Sequence, residues 1–221
     1  MDRKARDIWD QEYRRGRYQG EPPVSFVDDI LDAVVATDIA PRGLYIGCGN
    51  GRNYLPLVDA GLDLVGLDIS QTAIDQLREK RPGAEAGLIC GNLDLLPHDA
   101  TYPVVIGIQV FQHGDRDRAH SHLEAAKERV AARGIFCVRV NAVETNIEYG
   151  HTLEEQDSDG GFTIRYLEGP KSGLLIHFFS HDELAGLFFG WEEVLPLRLQ
   201  RTWREPRDRG SWLQWEAIWR R

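Results

Sequence analysis

Three glycines at alternate positions and one later carboxylate form the pattern in this chain with the clearest chemical use. Gly47, Gly49 and Gly51 follow the short apolar run 44–46, and a helical pattern comes after them. Glycines allow a ligand to approach the backbone closely, and the start of a helix presents N–H groups. Asp68 ends the next apolar run, where a carboxylate that binds ribose hydroxyls is expected. The pattern therefore predicts a nucleoside site at the ends of neighbouring strands.

The spacing of the glycines restricts the class of ligand that the turn could bind. They read G-x-G-x-G, whereas the dinucleotide pattern G-x-G-x-x-G would need its third glycine at Arg52. A ligand with a ribose but no pyrophosphate fits this spacing. The pattern thus favours S-adenosylmethionine (SAM) over NAD.

The elements that position these residues alternate between strand and helix patterns. Apolar runs end at Ile46, Asp68, Cys90 and Gln109, and helical stretches separate them. Such alternation predicts a parallel sheet with helices on both faces, and ligands bind at the carboxyl ends of its strands. The sequence further predicts helices over 3–18, 71–80 and 115–133, a fifth strand over 135–140, and closing antiparallel strands over 191–199 and 212–219.

Two motifs connect the chain to a known family. The segment 47–53 is similar to the glycine motif of bacterial tellurite-resistance methyltransferases. Residues 9–16 resemble the N-terminal W-x-x-x-W-x-x-G of thiopurine methyltransferases, with Tyr13 at the second aromatic position. Over nearly its whole length the chain therefore resembles the class I SAM-dependent methyltransferases, and most closely those that act on small molecules.

The resemblance implies a fold and a domain plan. It implies an α/β, three-layer, Rossmann-like sheet, mostly parallel with the last strand antiparallel, and helices on both faces. One domain would span 1–221, with an N-terminal lid helix over 1–20. The segment 141–180 departs from the family as an insertion after strand five. Within it, 154–161 reads as a polar loop, and the apolar runs 162–167 and 174–179 predict a β-hairpin.

The resemblance also implies the cofactor, SAM, and its product, S-adenosylhomocysteine. Asp68 would accept hydrogen bonds from both ribose hydroxyls. The turn 91–97 resembles the family's adenine loop, with Asn92 in place of the acid, so that its amide oxygen accepts from the adenine. The residues expected to bind the cofactor are Trp9, Tyr13, Gly47, Cys48, Gly49, Gly51, Asn53, Asp68, Ile69, Asn92, Leu93 and Gln109.

Three features each admit two interpretations. Trp9 and Tyr13 lie at i, i+4 spacing, so they either close over the cofactor or simply pack the helix against the domain. His113, after strand four, is a candidate general base, or it fixes its loop by a hydrogen bond. The insertion either shapes the acceptor pocket, with Arg165 and His177 able to orient a polar group, or extends the core or a dimer contact.

Composition excludes several classes of function. The chain has 26 Lys and Arg against 35 Asp and Glu, and this acidic balance argues against nucleic-acid binding. Its three cysteines have no C-x-x-C spacing, so we expect reduced thiols and no metal site. The longest apolar run is about half a membrane span. We therefore expect a cytoplasmic protein, monomeric or homodimeric, without membrane partners.

The predicted reaction is in-line transfer of the SAM methyl group to a small-molecule acceptor with an O, N, S or chalcogen nucleophile. The segment 109–113 lacks the D-P-P-Y motif of DNA adenine methyltransferases, and the chain lacks a Pro-Cys nucleophile. Two alternatives stay open. They are a methyltransferase that acts on RNA or protein, and a non-catalytic partner protein with the same fold.

Overall fold

The computed structural model describes residues 3–83 and 87–221 of the 221-residue chain. The described residues form helices and strands in an order close to the predicted alternation. The helices are α1 (Arg3–Arg14), α2 (Phe26–Ala36), α3 (Tyr54–Asp59), α4 (Gln71–Lys80), α5 (Arg116–Lys127) and α6 (His181–Leu187). The strands are β1 (Arg42–Ile46), β2 (Asp63–Asp68), β3 (Leu88–Cys90), β4 (Tyr102–Ile108), β5 (Val130–Asn141), β6 (His151–Gln156), β7 (Phe162–Tyr166), β8 (Leu175–Phe178), β9 (Glu192–Trp203) and β10 (Ser211–Arg220).

Seven strands form one sheet in the order β3-β2-β1-β4-β5-β10-β9. β1 pairs with β2 and β2 with β3 in parallel, whereas β10 and β9 are antiparallel. The predicted fold class, a mostly parallel sheet with an antiparallel edge, is therefore confirmed. In the part of the chain that the structure describes, no helix has the length and apolar character needed to cross a membrane.

The chain divides into two compact units. The first comprises the chain up to Ile106, with Glu128–Phe136 and Arg221. In it, α4 packs on β2 and β3, and α1 packs on α4. Ser70 begins α4 as predicted, because its hydroxyl accepts a hydrogen bond from the Ala73 N–H. The helix α1 ends at Arg14, earlier than predicted, and Gly16 follows with a left-handed φ of 86°.

The second unit comprises Gly107–Lys127 and Cys137–Arg220. The predicted hairpin is confirmed, because β7 pairs antiparallel with β8 from Phe162 opposite Phe178. The prediction of a loop over 154–161 is wrong in its first part, since β6 extends to Gln156 and pairs with β7. Side-chain polarity misled that prediction, because β6 is largely exposed and needs few apolar residues.

The predicted helix over 115–133 ends too late, because α5 stops at Lys127 and β5 begins at Val130. The Tyr102 N–H donates to the Arg129 carbonyl, at 2.7 Å. The Arg129 guanidinium in turn donates to the carbonyls of Pro97, His98 and Ala100. These tertiary bonds begin the strand before Gly134, which the sequence favoured as the end of the helix.

Candidate functional site

The glycine turn after β1 has the backbone conformation that its sequence predicts. Gly47, Gly49 and Gly51 have φ angles of 72°, 54° and 95°, in the left-handed region that favours glycine. The N–H groups of Gly47 and Cys48 donate to the Leu67 carbonyl, at 2.7 and 2.9 Å. The Gly51 N–H donates to the Cys48 carbonyl, at 3.2 Å. The turn is thereby fixed to the end of β2.

Asp68, at the end of β2, lies directly on this turn. One carboxylate oxygen accepts from the Gly49 N–H and the other from the Ser70 N–H, each at 2.8 Å. Burial raises the pKa of Asp68 to about 6, although both N–H bonds act to lower it. The Gly91 N–H donates to the Asp68 carbonyl, at 2.8 Å. This bond places the turn that follows β3 beside the end of β2.

The N-terminal helix meets the site through Tyr13. A Cβ atom built on Gly49 would lie 2.5 Å from the Tyr13 hydroxyl oxygen, so these residues are in close contact. Burial, and then the charge of nearby Asp68, raise the pKa of Tyr13 well above its usual value, which keeps the phenol neutral. The ring of half-buried Trp9 lies 6.1 Å from that of Tyr13, centroid to centroid. The structure thus brings Tyr13, Gly49 and Asp68 together.

Polar contacts that the sequence did not indicate hold this helix in place. The Asp10 carboxylate accepts from the Ser70 hydroxyl, at 2.5 Å, and from the Thr72 N–H, at 3.1 Å, at the start of α4. The Gln76 amide donates to the Tyr13 carbonyl, at 3.0 Å. No motif or spacing had singled out Asp10. Its role depends on a partner 60 residues away in the chain.

Asn53, predicted to bind the cofactor, also contacts the N-terminal segment. Its side-chain oxygen accepts from the Val24 N–H, at 3.0 Å. Next to it, the Arg52 Nε donates to the Pro22 carbonyl, at 2.7 Å. The start of α3 and the segment before α2 are therefore tied together. The side-chain oxygen of Asn53 already serves a structural contact.

The predicted adenine turn lies after β3. The Asn92 amide nitrogen donates to the Asp94 carboxylate, at 2.8 Å, which leaves the amide oxygen as the group suited to accept from a ligand. Half-buried Leu93 begins the short 3-10 turn Leu93–Leu95. Ile69 is also half-buried, and its carbonyl faces the Cys90 thiol at 3.7 Å.

Gln109 and His113 lie in the second unit, after β4. Gln109 has a left-handed φ of 57°, and its N–H donates to the Arg139 carbonyl, at 2.7 Å. Burial, and then the charge of Lys171, lower the pKa of His113 to about 3, while a hydrogen bond with the Gln109 backbone opposes them. The backbone of His113 forms a β-bridge with Ile176. This geometry favours the loop-fixing interpretation, because an imidazole with so low a pKa is a poor proton acceptor.

The insertion places most of its apolar side chains in its own core. Phe178 is buried, and Phe162 stacks on it with ring centroids 4.9 Å apart. Tyr166 is half-buried and packs against the same cluster. Arg165 pairs with the exposed Glu154, at 3.0 Å, as expected for an arginine on a solvated strand face. Phe162 and Tyr166 therefore retain exposed surface with which to contact a ligand.

Comparisons with known proteins agree with this architecture. Residues 44–134 match a family model described as a methyltransferase domain. A search of curated proteins found no match. Among solved structures, TehB from Haemophilus influenzae is 18% identical with a TM-score of 0.63, and the match covers 96% of this chain and 67% of that one.

Two further structures have the same fold and were crystallised with S-adenosylhomocysteine. The 1,6-didemethyltoxoflavin-N1-methyltransferase of Burkholderia thailandensis is 16% identical with a TM-score of 0.67, over 98% of this chain and 87% of that one. The magnesium protoporphyrin IX methyltransferase of Synechocystis PCC 6803 is 16% identical with a TM-score of 0.65, over 99% and 98%. Residues 44–134 therefore match a methyltransferase domain, and the chain has the fold of the class I SAM-dependent methyltransferases.

Proposed function

We propose that this chain is a methyltransferase that transfers the methyl group of SAM to a small-molecule acceptor. The observation that carries the proposal is the buried Asp68 carboxylate, held by the Gly49 N–H of the left-handed glycine turn and by the Ser70 N–H at the start of α4. Two structurally similar enzymes are a 1,6-didemethyltoxoflavin-N1-methyltransferase and a magnesium protoporphyrin IX methyltransferase, which supports the small-molecule class. We also propose that the protein is cytoplasmic, that it is a monomer or a homodimer, and that it has no nucleic-acid partners.

In this proposal Asp68 binds the ribose of SAM. Each carboxylate oxygen accepts one backbone N–H and has a further lone pair for a ribose hydroxyl. Burial makes the ionised carboxylate costly without a ligand, and two hydroxyl donors would offset part of that cost. Asn92 and Leu93 would contact the adenine, and Trp9 with Tyr13 would cover the cofactor.

The glycine turn would bind the methionine end of SAM through carbonyl oxygens. The N–H groups of Gly47, Cys48, Gly49 and Gly51 already donate to protein acceptors. A turn with its donors used in this way is poorly suited to a pyrophosphate, which needs N–H groups, and better suited to an ammonium group. This supports SAM over a dinucleotide.

The chemistry expected of the protein is alignment of the acceptor with the sulfonium methyl group. Since His113 is a poor base, the proposal favours acceptors that arrive as anions, such as thiolates or chalcogen oxyanions. A role for the insertion in acceptor binding is part of the proposal. Substituting half-exposed Phe162 or Tyr166 by alanine should then raise the KM for the acceptor while leaving the SAM Kd unchanged.

Calorimetry with SAM and S-adenosylhomocysteine, followed by a screen with methyl-labelled SAM, tests the proposal. The screen would contain thiols, phenols, amines, chalcogen oxyanions, RNA and a protein extract. We expect binding of both nucleosides at one site and label transfer to a small molecule. Transfer only to RNA or protein would overturn the acceptor class, and binding without any transfer would favour the non-catalytic alternative.

A further inference from the structure

A buried polar cluster in the second unit joins three elements. His120 lies on α5, His177 on β8 and Glu183 on α6. The side chains of His177 and Glu183 are 0% and 1% exposed, and that of His120 is 21% exposed. His120 Nε2 lies 2.6 Å and His177 Nε2 2.9 Å from the same Glu183 oxygen, Oε1. One ligand atom from each of the three residues lies within 4.8 Å of the others.

The hydrogen bonds around His177 determine which of its nitrogens carries a proton. The Thr163 hydroxyl lies 2.6 Å from a Glu155 carboxylate oxygen, which can only accept, so the hydroxyl hydrogen points there. His177 Nδ1, 2.9 Å from the same hydroxyl oxygen, must then be the donor. In a neutral His177 the Nε2 lone pair consequently faces the two Glu183 oxygens, at 2.9 and 3.1 Å. Two electron-rich groups in such contact need a positive charge between them.

The charges around the cluster point the same way. The Arg116 guanidinium contacts three carboxylates, and the Arg116 backbone N–H donates to a fourth. The side chain lies 2.9 Å from Asp157, 3.3 Å from Asp159 and 3.2 Å from Glu183, and the backbone N–H donates to Glu155, at 2.6 Å. Glu183 is the buried member of this group, whereas the side chains of Asp157 and Asp159 are 24% and 26% exposed. Because one guanidinium is shared among three carboxylates, a further cation that binds Glu183 would offset part of the cost of burying its charge.

We propose that His120, His177 and Glu183 bind a divalent transition-metal ion of the Zn²⁺ type. Two imidazoles and one carboxylate are a common protein ligand set for zinc, with a solvent molecule as the fourth ligand. Thr163 orients His177 through Nδ1, as the outer partners of metal-ligating histidines do. The partial exposure of His120 provides a route for the ion and for the solvent ligand.

The proposed ion has a structural role, because it would tie α5, β8 and α6 together. Tetrahedral ligands at about 2 Å from zinc lie about 3.3 Å apart, so the present separations of 2.6 and 2.9 Å need to widen by roughly 0.4–0.7 Å. Arg116 would keep its contacts with Asp157 and Asp159. The sequence predicted no metal site, since 63 residues separate His120 from Glu183.

Calorimetric titration of the chelator-treated full chain with ZnCl₂ tests this inference. We expect one equivalent to bind and the melting temperature to rise. His120→Ala should abolish this binding, whereas Thr163→Val, which removes only the outer partner, should weaken it about 10–100-fold. His181→Ala is the matched control, because His181 and Asp182 form an exposed pair on the same helix that could bind zinc adventitiously.

A second readout keeps the test decisive where a variant folds poorly. Co²⁺ bound to the wild-type chain should give visible absorption bands of a tetrahedral site, and Zn²⁺ should displace them. The inference is overturned when the wild type takes up no stoichiometric zinc, or when His181→Ala removes the binding and a folded His120→Ala retains it.

Discussion

Asp68 and Glu183 are both buried carboxylates next to the start of a helix, yet their pKa values move in opposite directions. They are 8% and 5% exposed. Burial raises the pKa of Asp68 to about 6, because its partners are backbone N–H groups without full charge. Burial also acts to raise the pKa of Glu183, but bonds with His120 and His177 outweigh it and bring the value to about 2. A metal ion at the proposed site would lower it further.

The difference fits the two proposed roles, a nucleoside site at Asp68 and a structural ion site at Glu183. Glu183 already accepts hydrogen bonds from groups within the protein, including both bonds of a capping box with Ser180, and the proposed ion would add to them. Asp68 is ionised at neutral pH at a cost, and a ligand with hydroxyl donors would offset part of it. An uncompensated buried charge is typical of sites whose function requires it.

The largest expected effect is on Glu183. Glu183→Ala removes the shared acceptor of His120 and His177, together with half of the capping box, and should lower the free energy of unfolding by about 3–5 kcal/mol. The exposed Asp182→Ala on the same helix is the control and should cost about 1 kcal/mol or less. Urea unfolding of both variants measures this. Equal losses of unfolding free energy in the two variants would mean that the contacts of Glu183 with His120 and His177 do not stabilise the fold.

A smaller effect is expected from pH on SAM affinity. The pKa of Asp68 is raised to about 6, so the carboxylate proposed to accept ribose hydroxyls is ionised above that value and protonated below it. The Kd for SAM should be flat above about pH 7 and should rise by up to about tenfold per pH unit below pH 6. Calorimetry at several pH values measures the curve. A Kd that stays constant down to about pH 5 would show that the carboxylate charge is not used.

The same linkage applies to the stability of the free protein, with the sign fixed by the raised pKa. Folded Asp68 retains its proton to about pH 6, while the unfolded chain loses it near the ordinary value of 3.8. This residue therefore contributes most stability below pH 4, and the contribution falls as pH rises toward 6. Stability is measured against pH for the wild type and for Asp68→Ala, and the difference between the two curves gives the contribution of Asp68. The opposite slope would contradict the assigned pKa shift.

A substitution of Asp10 should change the pKa of Asp68 while leaving Asp68 itself in place. The charge of Asp10 contributes to the raised pKa of Asp68, and its carboxylate holds α1 on α4. Asp10→Ala should move the pH at which SAM affinity falls to a lower value and weaken SAM binding by about 0.5–2 kcal/mol, as for a lost helix cap. Exposed Asp7→Ala is the control. Faster hydrogen exchange of α1 in Asp10→Ala alone would support docking of the helix.

The smallest expected effect is on the pH profile of methyl transfer in a His113→Asn variant. Burial keeps His113 neutral above about pH 3, so it has no titration between pH 5 and 9 to contribute to the rate. Loosening of the loop would lower the rate uniformly over this pH range, and the shape of the profile should stay the same. Loss of a limb near pH 6–7 would instead identify His113 as a general base.

The sequence predicted the glycine turn and Asp68 better than the insertion, and the reason is physical. The glycine turn and Asp68 can be recognised from short stretches of sequence. A left-handed turn needs glycine, and Asp68 directly ends the apolar run that forms a strand. The start of β5 and the strand β6 depended on tertiary bonds, such as those of Arg129, that no local pattern records. The cluster of His120, His177 and Glu183 was invisible for the same reason.

Calorimetric titration of SAM into the wild type and two variants tests directly whether Asp68 binds the ribose of SAM. We expect Asp68→Ala to weaken binding by about 1.5–3 kcal/mol, or about 10–150-fold, as for lost hydrogen bonds to a charged group. Asp63→Ala, exposed at the other end of β2, should bind as the wild type does. Unchanged SAM affinity in a folded Asp68→Ala protein would contradict the account.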